Sequence, residues 1–150
     1  MKFLSLILAI FSFTFIGCDK DKFTTVPQLK LKSISPSTLR AGDVLRVKGT
    51  YTDEQGDVDS ILLVYKWYNG LLPVRALDTQ RYSLKSFNVP AKTREAEINI
   101  VFEYQTNNLN LPILSGVSRD TTATFGMVIK DKEGNRSDYQ ESEKIRIIKP

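Results

Sequence analysis

The sequence predicts an all-β domain, a single antiparallel β-sandwich of about seven strands, preceded by an N-terminal segment of different character. Three observations carry this. Apolar and polar residues alternate with period two in one stretch after another, as they do in strands that bury one face. Clusters of Gly, Asn, Asp and Pro punctuate those stretches at short spacing. No stretch of residues 28–150 carries a convincing 3.6-residue repeat. Strands that each bury one face require two sheets to cover one another.

The N-terminal segment comes first. Lys2 is followed by an apolar run from Phe3 to Ile16, broken only by Ser5, Ser12 and Thr14. Gly17 and the chain's only cysteine, Cys18, follow, and then the charged Asp19-Lys20-Asp21-Lys22. A basic start, a short apolar run and a small residue at its end form a secretory signal peptide. The run is too short for a permanent span, which needs about 20 apolar residues. Phe15-Ile16-Gly17-Cys18 resembles the lipobox of bacterial lipoproteins. That resemblance implies removal of residues 1–17 and lipid on Cys18, which becomes the first mature residue. The expected division is a signal peptide over 1–17, a lipidated tether over 18–27 and one domain over 28–150. The polar stretch ending in Thr24-Thr25-Val26-Pro27 suits a tether.

Within the domain, Leu29 and Leu31 alternate with Lys30 and Lys32 as a half-buried strand, closed by Ile34-Ser35-Pro36-Ser37. Ala41-Gly42-Asp43 turns the chain into a second strand, with Leu45, Val47 and Tyr51 on one face and Arg46, Lys48 and Thr50 on the other. An acidic loop spans residues 53–59. Residues 60–68 are the most apolar mature stretch, with Ile61, Leu63, Tyr65 and Trp67 on one face and Leu62 and Val64 on the other, which predicts a central strand. Asn69-Gly70 marks a turn, Leu71-Leu72-Pro73-Val74 reads as an apolar loop, and a weaker strand is expected over 81–89, stopped by Pro90. Residues 95–104 alternate, with Ala96, Ile98, Ile100, Phe102 and Tyr104 inward and Glu95, Glu97, Asn99 and Glu103 outward. A long connection, 105–120, leads to Ala123, Phe125, Met127 and Ile129, again alternating. Residues 131–135 form a hairpin turn, and 144–149 make the last strand around Ile145 and Ile147.

Composition narrows the chemistry. Removing residues 1–17 from 150 leaves 133, enough for one domain with a proper core. It also takes Lys2 away, lowering the net charge from +4 to +3. So mild and scattered a charge gives no footprint for nucleic acid. The sequence has no histidine, and lipid on Cys18 would consume its only thiol. Disulfides, thiolate nucleophiles, Ser-His triads and the usual zinc sets are thereby removed.

Three stretches together resemble the immunoglobulin-like and PKD-like sandwich domains of bacterial envelope lipoproteins: residues 37–52, the Tyr65-Lys66-Trp67-Tyr68-Asn69-Gly70 strand, and residues 131–137. The resemblance implies an immunoglobulin-like sandwich, from which this chain departs in that its single cysteine allows no core disulfide. Such domains serve as spacers, adhesins, carbohydrate-binding modules and subunits of envelope machines, so the fold leaves function open.

Four constellations carry candidate chemistry. Asp53, Asp57 and Asp59 in the acidic loop offer hard oxygen ligands for calcium, although the spacing is not that of an EF-hand. Leu109, Leu111, Ile113 and Leu114 gather apolar side chains in one long loop, a candidate contact for a protein partner or a plug for the domain's own end. Glu95, Glu97 and Glu103 supply carboxylates, the minimum for glycoside hydrolysis, but on an outward face. Tyr68 and Tyr82 are the aromatics available for stacking on a glycan. The reading drawn from these is a non-catalytic binding or structural module without a resident cofactor. It is expected in the bacterial cell envelope, held by lipid at the outer membrane. A carbohydrate-binding module is the alternative, and a carboxylate hydrolase a distant third.

Overall fold

The computed structural model describes residues 23–69, 72–83, 89–106, 111, 113–114 and 117–150. It is an all-β sandwich with nine strands among these residues. They are β1 (Gln28–Ser35), β2 (Thr38–Leu39), β3 (Val44–Thr52), β4 (Val58–Asn69), β5 (Leu72–Ser83), β6 (Glu95–Glu103), β7 (Thr121–Asp131), β8 (Gln140–Glu141) and β9 (Ile145–Ile147). One sheet has the order β1-β3-β6, the other β2-β9-β7-β4-β5, with β8 paired to part of β7. All pairings are antiparallel except β2 with β9. Six of the seven longer strands fall where expected; the seventh, β5, shares only residues 81–83 with the strand expected over 81–89, of which 84–88 lie outside the described residues. The two extra ones have two residues each, too few to show a period.

The alternation fixes what fills the space between the sheets. Leu45, Val47 and Tyr51 of β3, with Ile98, Ile100 and Phe102 of β6, face Ile61, Leu63, Tyr65 and Trp67 of β4 and Ala123, Phe125, Met127 and Ile129 of β7. Phe102 meets Tyr65 edge-on at 6.0 Å between ring centroids, and Tyr65 lies 5.5 Å from Phe125. Gly49 is inward on β3, where a Cβ would come within 2.9 Å of Met127 Cε; the missing side chain gives that methionine its room.

Two sequence expectations are corrected. Leu72-Pro73-Val74 is not loop but the start of β5, which therefore begins well before Arg81. Pro73 is tolerated because β5 is an edge strand and pairs irregularly there. Glu103 is not outward but buried, accepting a hydrogen bond from Thr106 at the end of β6.

Candidate functional site

The acidic loop lies at the end of the sandwich where β3 leaves one sheet and β4 enters the other. Asp53 continues the inward alternation of β3, and Asp131 that of β7, so both carboxylates are carried beneath the loops; Asp53 is 0% exposed and Asp131 2%. Asp57 stands just before β4. One carboxylate oxygen from each of Asp53, Asp57 and Asp131 lies within 4.8 Å of the other two. Of the three aspartates singled out in the sequence, the structure thus unites Asp53 and Asp57 but replaces Asp59 with Asp131. A β-bulge is the reason: Val58 pairs with Asp131 and Ser60 with Lys130, leaving Asp59 as the extra residue. Asp59 turns to Arg81, at 2.6 Å, and that hydrogen-bonded guanidinium lowers its pKa.

The backbone holds the cluster tightly. The Asp53 amide donates to the Arg94 carbonyl at 2.8 Å, and the Asp57 amide donates to Asp53 Oδ2 at 2.9 Å. The Lys132 amide donates to the Asp57 carbonyl at 3.2 Å. Asp131 accepts from the backbone amide and the side-chain amide of Asn135, both at 2.7 Å. Gly56 makes the turn at φ +66°, and a Cβ there would meet the Lys92 backbone at 2.6 Å, so both conformation and space demand glycine. Two further oxygens, Asp53 Oδ1 and Asp57 Oδ1, are buried and accept no hydrogen bond. Burial, then the Asp53 and Asp131 charges, push the Asp57 carboxyl above its ordinary range. Burial, then the Asp53 charge, push the nearby Tyr51 phenol up to about 12, where it donates to the Thr93 carbonyl at 3.2 Å.

The apolar loop divides. Leu114 is 3% exposed and part of the core, its amide donating to the Glu103 carbonyl at 2.9 Å, so it serves as plug rather than contact. Ile113 bridges Glu103 through its backbone but leaves 59% of its surface exposed, and Leu111 is half-buried. Leu109 lies outside the described residues, as does Cys18.

The other candidates do not assemble. Tyr82 packs against the core opposite Ile61, whereas Tyr68 is on the outer face of the same sheet beneath Lys144 Nζ, 4.3 Å from the ring centre. The two aromatics therefore share no platform. Glu95 and Glu97 are exposed at the start of β6, while Glu103 is buried at its far end.

Sequence reasoning missed the layer on the outer face of β7. There Glu141 Oε1 accepts from Thr124 at 2.5 Å and pairs with Lys66 Nζ at 3.1 Å, and that ammonium lies 4.8 Å from the centre of the Tyr139 ring. Polar residues in an outward register carry no periodic sign that a short strand will cover them.

No protein-family model matches the chain, and the comparison with curated protein sequences found no match. Among solved structures, similar ones include the sporulation control protein Spo0M of Bacillus subtilis, with 8% identity over 83% of this chain and a TM-score of 0.44. The chain spans 50% of the length of Spo0M. A Niemann-Pick type C2 protein from the Japanese carpenter ant shares 13% identity, with 83% of this chain and 95% of that one covered at a TM-score of 0.47. The superoxide reductase (neelaredoxin) of Ignicoccus hospitalis shares 10% identity over 80% and 79% of the two chains, at 0.43. These are β-rich neighbours too distant to speak about function.

Proposed function

We propose that the chain is a lipid-anchored, non-catalytic protein of the bacterial envelope, whose β-sandwich binds or supports another envelope component. One observation carries the reading: the only cysteine closes a short apolar run, and β1 begins ten residues later, at Gln28. A tether of that length lets a sandwich stand just off a membrane surface. Several acyl chains on Cys18 would hold it there firmly, since one chain gives only marginal binding at roughly 0.8 kcal/mol per buried CH₂. The outer membrane is the proposed location. The exposed Ile113 beside half-buried Leu111 is the proposed partner contact.

Cys18→Ser tests the anchor. The variant should fold as the parent does and move from the membrane fraction to the soluble one; continued membrane association would refute the reading. Leu111→Ser with Ile113→Ser tests the contact: an envelope protein that co-purifies with the parent should be lost while the fold survives. Undiminished co-purification would place the contact elsewhere.

A further inference from the structure

We infer that Asp53, Asp57 and Asp131 form a calcium site that ties the two sheets together at one end of the sandwich. Acidic residues often gather at loops without binding anything; two features set these apart. Asp53 is fully buried, yet its Oδ1 accepts no hydrogen bond, and Asp57 Oδ1 beside it is equally unpartnered. An ionised carboxylate oxygen sealed from water without a donor is costly unless a cation compensates it. Among the described residues no ion pair supplies one. The ion pairs among the described residues join Lys66 to Glu141, Arg81 to Asp59 and Arg146 to Asp120, and none reaches the three aspartates.

The chemistry of the donors selects the ion. All three are hard carboxylate oxygens, the preference of calcium and magnesium rather than of zinc or copper. Their mutual separation of up to 4.8 Å fits two oxygens on one calcium, whose Ca–O distances of about 2.3–2.6 Å span about 5 Å. Magnesium, at about 2.0–2.1 Å and with near-ideal octahedral demands, draws its ligands closer. An entry route exists as well: Asp57 lines a surface depression bounded by Gly56, Val58, Lys92 and Lys132. Because Asp53 follows β3 and Asp131 ends β7, an ion held by both would fasten the two sheets at this end, adding to the hydrogen bond from the Asp57 amide to Asp53. The inference is independent of the anchoring proposal and survives its failure.

The test uses the full-length protein in detergent. Its melting temperature is read in EDTA and again with calcium or magnesium at about 10 mM, and binding stoichiometry is measured by calorimetry. Calcium should raise the melting temperature by roughly 5 °C or more, with one ion bound per chain and magnesium less effective. Asp57→Asn should abolish the calcium shift while melting no lower than the parent in EDTA, because it relieves repulsion among three carboxylates. Asp59→Asn should keep the shift. If calcium neither binds nor stabilises the parent, or if Asp57→Asn and Asp59→Asn respond to it equally, the site does not exist. Should Asp57→Asn fail to fold, one-to-one binding to the parent and its retention in Asp59→Asn decide the matter alone.

Discussion

The ring of Tyr139 fills the space where Gly126 would carry a side chain, so a Cβ added at Gly126 would overlap its phenolic end. Lys66 Nζ lies over that ring, 4.8 Å from its centre. The glycine thus exists to admit a tyrosine that closes the outer face of β7.

Gly126→Ala should therefore expel Tyr139 and cost about 1–2 kcal/mol, the combined loss of cation–π attraction and packing. In a Tyr139→Ala background the same substitution should stabilise by about 0.5–1 kcal/mol, because alanine in a strand costs less chain entropy than glycine. Denaturant unfolding of the four variants checks this reversal of sign.

Lys66 and Glu141 predict a pH dependence. Burial pushes the Glu141 carboxyl up, but the Thr124 and Lys66 hydrogen bonds and the Lys66 charge outweigh it, and the net direction is down. A carboxyl depressed in the folded state stabilises above its unfolded pKa, and that contribution fades as pH falls through the folded value. Lys66 is raised, chiefly by the same hydrogen bond, so its contribution holds below the ordinary lysine range and fades as pH rises through the raised value. The stability advantage of the parent over Glu141→Gln should thus be present at neutral pH and vanish in acid. Chemical denaturation across pH measures it.

Adjacent residues of the long connection should behave oppositely. Ile113→Ser, at an exposed site, should change stability by no more than about 0.5 kcal/mol. Leu114→Ala empties a core position and should cost about 2–5 kcal/mol. Equal melting curves would contradict the division of this loop into surface and plug.

Trp67 is 7% exposed and packed in the core, so Trp67→Ala should cost about 3–5 kcal/mol. That is much of the roughly 5–15 kcal/mol available to a domain. A denaturation midpoint that barely moves would mean the indole contributes little to the interior.

Much of this was legible because a strand's period of two is a strong constraint: the inward sets of β3, β4, β6 and β7 emerge residue by residue from alternation. The same parity, carried one step further, places Asp53 and Asp131 inside, a signal available in the sequence that the proximity of Asp59 in the acidic loop obscured. What alternation cannot show is a phase slip. The bulge beside Asp59 turns one aspartate away, and the irregular pairing of β5 hides a strand behind Pro73. Nor does it reveal pairing across the chain, which places Leu114 next to Glu103 and buries it.

The central claim, a domain held to the envelope by lipid on Cys18, is tested most directly by the intact mass of the protein extracted from membranes of its own host. The account predicts a chain that lacks residues 1–17, begins at Cys18, and is heavier than the bare 133-residue polypeptide by its acyl groups. A mass that retains Met1, or an unmodified Cys18 thiol open to alkylation, would contradict it.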